Sequence, residues 1–407
     1  MHTNAAKTPM PHPPEPPPAP AHPLAEGIRG LHHSSISAAN QRAVLMIVAT
    51  TPGITNAEIS RRAGLGAQTV SRFLADLEND GLIRRGEVKR GQPGLPATPY
   101  FLIYDSVMSL GVSIGWHRCD VVLMDMSGAA TAVETIRYEQ PAETVFSDVD
   151  ARWRTLAERF DVARKPRMVV AGVTVPEDLA DGLLLPGEHG GRGTDGVARR
   201  LSEATGLPFR GYGMARAAAW AEHGGPGSPW KGDFLYLHID EVIGSAVILG
   251  GVAWRGGKGG VHGPQLGRTL SGGRVGEPTR LQDIASIRAL RKRVREKRPR
   301  ADAADAETLF SMPAAEAWLE EAATALAWAF SNTAMVIGMR HAVLGGPVPR
   351  QVLARLCEAV RDRMRAIWPC DCDIIGVGVG LAGPAAPAIG ASYLPIYEAL
   401  FEREPSG

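Results

Sequence analysis

Cysteine is scarce: only Cys119, Cys357, Cys370 and Cys372 occur in 407 residues, three of them near the C-terminal end. So few thiols exclude a disulfide scaffold and fit free cysteines in a reducing compartment. Cys370-Asp371-Cys372 has no second ligand pair at zinc-site spacing, and only His341 is moderately near in sequence, so no metal is expected. Long apolar runs are also missing. No segment approaches the roughly 20 residues that span a bilayer, and Met1 to Leu24 lacks the apolar core of a signal peptide. The expectation is a cytoplasmic protein without a membrane partner. Net charge is nearly absent as well, at +1, so any strongly charged binding surface must be local.

What is present is 44% hydrophobic content, enough for about three units of ordinary size. Residues 1–30, with Pro11, Pro13, Pro14, Pro16, Pro17, Pro18, Pro20 and Pro23, cannot pack a core and read as a disordered or polyproline tail. No function is assigned to it.

Residues 36–100 read as a winged helix-turn-helix. Ser37 to Thr50 supplies a first helix, with Val44, Leu45, Ile47 and Val48 inward and Pro52-Gly53 ending it. Thr55 offers a capping hydroxyl with Glu58 three residues on, and Ile59 and Ala63 give that helix one apolar face before Gly64 stops it. After the Leu65-Gly66 turn, Val70, Phe73, Leu74 and Leu77 recur at helical spacing in Ala67 to Asn79 and leave Gln68, Thr69, Ser71 and Arg72 on the other side. In a helix-turn-helix the second helix enters the major groove N-terminal end first, where Gln reads adenine and Arg reads guanine or holds phosphate. Leu82 to Gly86 followed by Glu87 to Pro93 reads as a two-stranded wing, with Arg84, Arg85, Lys89, Arg90 and Gln92 as DNA contacts. Arg90 in a thin, glycine-bearing segment is suited to a narrow minor groove. Residues 36–100 hold eight Arg or Lys against five Asp or Glu, a net +3, so the positive charge is concentrated here. The partner this implies is a double-stranded DNA operator; the plainer alternative is a three-helix protein-contact module with solvated arginines.

Beyond Pro99 the hydrophobic period changes. Ser109 to Gly115 and Cys119 to Asp125 form a hairpin pattern, followed by helix Val145 to Ala163, strand Met168 to Val175, and helices Gly193 to Thr205 and Met214 to His223. The grammar then repeats: strands Asp233 to Asp240 and Gly244 to Leu249, helices Pro278 to Lys297 and Pro313 to Met339, strand Ala342 to Gly346, helix Pro349 to Ile367, strand Asp373 to Val379 and helix Ala386 to Phe401. Strands alternating with helices in two similar halves predict an α/β domain over residues 104–407 with a ligand cleft between the halves.

The winged helix, the Ser-Leu-Gly-Val-Ser-Ile-Gly hairpin, Leu-Gly-Gly at 344–346 and Gly-Pro-Ala-Ala-Pro-Ala-Ile-Gly-Ala-Ser at 383–392 together resemble the ROK family of sugar-responsive repressors and sugar kinases, over residues 36 to 402. The resemblance implies an actin-like, sugar-kinase-type ATPase fold and admits both an enzyme and a repressor.

Departures from the family pattern bear on that choice. Where the kinases carry Gly-Thr-Lys after the first strand, this chain has Trp116-His117-Arg118, and the indole is expected to fill phosphate space. The second phosphate loop reads Asp240-Glu241-Val242-Ile243-Gly244, placing carboxylates where phosphate anions should sit. The family's Asn-Asp-Ala-Asn, whose Asp is the kinases' general base, becomes Gly213-Met214-Ala215-Arg216, and Met cannot accept a sugar hydroxyl proton. The zinc motif becomes Pro264-Gln265-Leu266-Gly267-Arg268, with Ser271 to Gly276 in place of the three-cysteine cluster.

The expectation is therefore a DNA-binding transcriptional regulator, a repressor, that senses a sugar-like or anionic sugar-derived effector through a kinase-derived domain without catalysis, cofactor or metal. Arg216, Glu222, His262, Gln265 and Arg268 are its expected effector contacts. Gln265 can bond a hydroxyl, while Arg216 and Arg268 suit a carboxylate or phosphate, unless they pair internally with Glu222 or Glu188. The alternatives are an active sugar kinase and a ligand-independent DNA binder. The basic run Arg288, Arg291, Lys292, Arg293, Arg295, Lys297, Arg298 and Arg300 is crossed by an apolar stripe of Ile284, Ile287, Leu290 and Val294, so it reads as a solvated helix face. One winged helix covers one half-site, so a homodimer or higher homo-oligomer is expected, built on the long helix carrying Trp318, Leu319, Leu326 and Phe330.

Overall fold

The computed structural model describes residues 33–401, except 88–97, 140–142, 165, 167, 184–192, 226, 255–262, 275–276, 298–304 and 368–375. The proline-rich tail, Cys370 and Cys372 lie outside the described residues; Cys119 and Cys357 are buried free thiols. No helix among the described residues is long and apolar enough to cross a membrane.

The N-terminal module comprises α1 (His33–Thr50), β1 (Ile54–Thr55), α2 (Asn56–Ala63), α3 (Ala67–Asn79), β2 (Ile83–Arg85) and β3 (Pro99–Leu102). The Thr55–Glu58 capping box closes α2: the Thr55 amide donates to Glu58 Oε2 at 2.9 Å, and the Glu58 amide donates to Thr55 Oγ1 at 3.4 Å. Gly64 ends it at φ 65°, a left-handed conformation that costs glycine nothing and turns the chain towards α3. The three-stranded sheet runs β1-β3-β2, with Ile83 opposite Leu102 and Ile54 opposite Tyr100. The strand that pairs with β2 is thus Pro99–Leu102, while of the segment Glu87 to Pro93 read as part of the wing all but Glu87 lies outside the described residues. Of the four residues of β3, Pro99, Tyr100 and Leu102 are buried, which gives the strand an apolar side to pack on the module.

The first lobe contains β4 (Val107–Ile114), β5 (Arg118–Asp125), β6 (Ala130–Arg137), α4 (Val145–Arg159), β7 (Met168–Thr174), α5 (Glu177–Ala180), α6 (Gly193–Thr205) and β8 (Phe209–Tyr212). Next comes α7 (Met214–Gly224). The second lobe follows with β9 (Phe234–Ile239), β10 (Ile243–Leu249), β11 (Val252–Ala253), β12 (Leu270–Arg274), β13 (Glu277–Arg280), α8 (Leu281–Ala285), α9 (Ile287–Lys297), α10 (Ala306–Phe310), α11 (Ala314–Ile337), β14 (His341–Gly345), α12 (Arg350–Ile367) and β15 (Gly376–Val379), and α13 (Ala386–Leu400) closes the chain. The two main sheets, β6-β5-β4-β7-β8 and β11-β10-β9-β14-β15, have the same strand order, so the repeated grammar is a repeated topology.

The stretch read as one helix from Pro278 to Lys297 is instead a strand and two helices. Ser286, with extended backbone at ψ 163°, breaks it, and its hydroxyl accepts from the Ala289 amide at 3.1 Å to start α9. The apolar stripe holds, with Ile287, Leu290 and Val294 buried, but Arg291 is buried beside it rather than solvated. In α11 the residues expected at a dimer surface are internal: Trp318, Leu326 and Phe330 are fully buried and Leu319 nearly so.

Helices α7 and α13 cross between the lobes. Ala215, Ala217 and Trp220 of α7 share a core with Phe234, Tyr236 and Ile248 of the second lobe, while α13 lies on the first-lobe sheet. Gly111 and Gly172 are paired in register on β4 and β7, and a Cβ at either would collide with a backbone carbonyl of α13, Ala388 or Ala391. Gly390 makes the same allowance to the Ala217 carbonyl, so the crossing is backbone on backbone. The end of α13 reaches further: Ile396 and Leu400 join Val44, Leu45, Leu82 and Val107 in the core of the N-terminal module.

Candidate DNA-reading face and effector cleft

In α3, Val70, Phe73, Leu74 and Leu77 are buried, which turns Gln68, Ser71 and Arg72 to solvent and leaves Thr69 half-buried. Asn56 Nδ2 donates to Ser71 Oγ at 2.7 Å, tying the two helices of the motif together and fixing the hydroxyl's orientation. The Arg72 guanidinium lies 4.9 Å from the Phe73 ring centroid. On the wing strand Arg84 and Arg85 are exposed, the former over the Phe101 ring at 5.1 Å and the latter paired with Glu78 at 2.9 Å. An exposed pair of this kind is worth little, so Arg85 can exchange Glu78 for a phosphate. Lys89, Arg90 and Gln92 lie outside the described residues.

Between the lobes is a cavity of about 1000 Å³. Its wall includes Met214 and Arg216 from the first turn of α7, Gln265 and Arg268, Arg280 and Arg288, and opposite them Glu177, Asp178 and Asp195. Ser245 anchors the Pro264–Arg268 segment: its hydroxyl donates to the Pro264 carbonyl at 2.6 Å and accepts from the Leu266 amide at 2.9 Å. Arg216, Gln265 and Arg268, expected from sequence to be effector contacts, line this one cavity. Glu222 does not. One turn and a half further along α7 it is buried, accepting from the Leu381 and Ala382 amides at 2.8 and 3.0 Å, and it joins α7 to the chain entering α13. Burial raises its carboxyl pKa against those two hydrogen bonds. His262 and Glu188 lie outside the described residues.

The arginines pair with acids other than those expected. Arg216 Nη2 is 3.7 Å from Glu398 Oε1 of α13, and Arg268 Nη2 is 4.0 Å from Glu177 Oε2. Arg288 Nη1 stands 4.0 Å from Asp178 Oδ2, so two long, exposed ion pairs join the lobes across the cleft.

Sequence reading missed His238 on this wall and named Asp240 only as part of an altered phosphate loop, not as an effector contact. The signal was present in strand alternation: Leu235, Leu237 and Ile239 enter the second-lobe core, which turns Phe234, Tyr236, His238 and Asp240 to the other face. Burial lowers the His238 imidazole to about 4, leaving it neutral at pH 7. Burial, reinforced by the neighbouring Glu241 charge, raises Asp240 to about 6.

The two turns that the family resemblance equates with phosphate loops face each other. His117 Nε2 lies 3.7 Å from Glu241 Oε1, which also accepts from Arg291 Nε at 2.6 Å. Trp116 folds half-buried onto the first-lobe core beneath the Arg288 guanidinium, 5.4 Å away, rather than into the cavity. Among the described residues no cluster of three or more His, Cys, Asp or Glu could hold a metal.

A two-lobed, sugar-kinase-like α/β domain carrying a winged helix-turn-helix is thereby defined. The chain belongs to the ROK family, matched over residues 109–395, and residues 38–84 match winged helix-turn-helix DNA-binding domains. It is similar to the protein y4fQ of Sinorhizobium fredii, 25% identical over 374 residues covering 89% of this chain and 92% of that one. It is also 34% identical over 191 residues to the bifunctional enzyme NanE/NanK of Brucella melitensis, covering 45% of this chain and 35% of that enzyme. Among solved structures, a ROK family transcriptional regulator homologous to the E. coli Mlc protein superposes with a TM-score of 0.66 at 16% identity, covering 90% of this chain and 98% of that one. A ROK family glucokinase from Streptomyces griseus gives 0.55 at 18% identity, covering 71% and 99%.

Proposed function

We propose that this chain is a transcriptional regulator, a repressor, whose DNA affinity is set by a small sugar-like or anionic sugar-derived effector bound between the lobes, without phosphoryl transfer. The observation that carries the reading is the packing of the winged helix: its core includes Ile396 and Leu400 of α13, a helix that also crosses α7 at the cavity. A DNA reader fused in this way to a ligand-sized cleft has a physical route for ligand control.

The absence of catalysis is supported at two places. Met214 lines the cavity where the kinase pattern puts its general base, and a thioether accepts no proton. His117 and Glu241 face each other from the two turns that would otherwise enclose the nucleotide phosphates, and Glu241 is already committed to Arg291. We place homodimerisation on the solvent face of α11, where Trp328, Met335 and Val336 are 51, 60 and 85% exposed and fall at i, i+7 and i+8 on one side of the helix. The expected occupant is a second copy of the chain.

The test is sequencing of the DNA fragments the full chain retains with and without cell metabolites. A discrete operator, lost or gained with metabolite, is expected. Sugar-dependent ATP turnover that disappears on changing a cavity residue would instead favour the kinase reading, which the Brucella similarity keeps in view. Retention that no metabolite alters would favour a ligand-independent DNA binder.

A further inference from the structure

We infer that the cleft selects an anionic effector, a carboxylate or phosphate ester, through Arg216, and that this anion acts by taking Arg216 away from Glu398. The inference rests on the proposed function in one respect: it takes the cavity to be an effector site.

Arg216 and Tyr212 both line the cavity and both reach Glu398 in the C-terminal half of α13, and of the two only Arg216 carries a charge. The Arg216 side chain is three-quarters covered, with its guanidinium 6.0 Å from the Tyr212 ring centroid and Nη2 3.7 Å from Glu398 Oε1. Glu398, 12% exposed, is held from the other side as well: the Tyr212 hydroxyl donates to Oε2 at 2.7 Å and Arg210 Nη1 lies 3.5 Å away. The Arg216–Glu398 contact is therefore a long one, and Glu398 keeps Tyr212 and Arg210 when it breaks. A ligand carboxylate or phosphate can offer the same guanidinium two charge-assisted hydrogen bonds at about 2.7–2.9 Å, roughly twice as strong as neutral ones. A neutral sugar hydroxyl cannot displace a carboxylate from a guanidinium. Of the acids on the cavity wall, Glu177 and Asp178 are each faced by an arginine across the cleft.

The consequence follows from where Glu398 sits. It lies between Ile396 and Leu400, both packed in the core of the DNA-binding module, whereas the first half of α13 is fixed by backbone contact with the first-lobe sheet and with α7. Exchange of Arg216's partner thus loosens the last turn of α13 and leaves its beginning in place. What reaches the winged helix is a change in the helix end on which it rests.

The test uses the full chain, hydrogen exchange read over residues 394–401, and melting temperature, with D-glucose 6-phosphate, D-glucuronate and D-glucose as probes. At least one of the two anions raises the melting temperature and speeds exchange in this segment roughly tenfold, while glucose does neither. Glu398→Gln, which keeps an acceptor for Tyr212 but loses the charge, shows the faster exchange without ligand at a near-native melting temperature. Arg216→Gln abolishes the thermal shift from the anion, and Arg216→Lys retains part of it. An anion that binds through Arg216 without altering exchange at 394–401 overturns the relay and leaves the cleft reading standing. Stabilisation by glucose alone overturns the choice of ligand class and again leaves that reading standing. No shift with either anion overturns the inference, and a metabolite extract that still changes DNA retention then upholds an effector of another class.

Discussion

Arg291 Nε and Glu241 Oε1 meet at 2.6 Å, each side chain only 9% exposed, and so join α9 to the turn between β9 and β10 beside His117 of the opposite lobe. A basic residue inside a run of eight cations is here a buried structural ion. Removing Arg291 leaves the buried Glu241 carboxylate with the longer His117 contact in place of its 2.6 Å ion pair. Arg291→Met is therefore expected to destabilise the chain by about 3–5 kcal/mol, and pairing it with Glu241→Leu should recover most of that loss. Denaturant unfolding of the two single variants and the double variant checks this; a double variant as unstable as Arg291→Met alone would contradict it.

Asp240 gives a pH dependence with a definite sign. Its carboxyl is raised from 3.8 to about 6, so the folded chain holds that proton more tightly than the unfolded chain does. Its contribution to stability is complete below about pH 4 and is lost as pH rises through 6. Asp240→Asn should remove this decline, making the variant's stability relative to the native chain rise between pH 4 and 6. The measurement is the difference in unfolding free energy across that range, and a constant difference would refute it.

On DNA, Gln68 is exposed at the leading end of α3, with its polar amide unopposed by the module's core. Gln68→Ala should relax base preference at one operator position and weaken the cognate site by about 1–3 kcal/mol. Binding-site selection with both proteins reads the preference directly, and identical selected motifs would remove Gln68 from the reading face.

For assembly, Met335→Glu combined with Val336→Asp should convert a dimer to monomer without altering the melting temperature of the subunit by more than a few degrees, since both side chains are exposed. Trp318→Ala, at a fully buried position of the same helix, should instead cost about 3–5 kcal/mol of fold stability. Light scattering and thermal unfolding separate the two effects; an unchanged dimer in the double variant would move the interface elsewhere.

Gly390→Ala tests the crossing of α7 and α13. The added methyl meets the Ala217 carbonyl, a backbone group that cannot rotate away, so the loss should reach at least the upper end of the usual 1–3 kcal/mol for overpacking. A melting temperature equal to that of the native chain would show that the helices can separate freely.

Much of this architecture was legible in the sequence because it rests on local rules. The Thr55–Glu58 capping box, the buried stripe of α3 and the strand grammar of the two lobes each follow from a period or a cap. Arg216, Gln265 and Arg268 could be brought to one cavity because the family resemblance fixed their loops. Misreadings arose where distance in sequence decides partnership. Glu222 turned to Leu381 and Ala382, some 160 residues on, and Arg291 turned to Glu241, 50 residues back. Trp318 and Phe330 look like an excess of apolar bulk on one helix until the core formed by α8, α9 and α12 is seen to consume it. The break at Ser286 is a single capping hydroxyl within a strongly helical run, a signal too small to outweigh the period around it.

The paired glycines Gly111 and Gly172 have a mechanical consequence. By letting α13 lie directly on the first-lobe sheet, they make that lobe and the first half of the helix one lever with the α7 crossing as its fulcrum and the winged module seated on the helix end, while α11 belongs to the other lobe. If two chains are held together at α11, the second lobes are the frame and the DNA readers are the far ends of the levers. A few degrees at the fulcrum then become a displacement of the reading helices that grows with their distance from it, and the operator's half-site spacing works as a gauge of cleft angle.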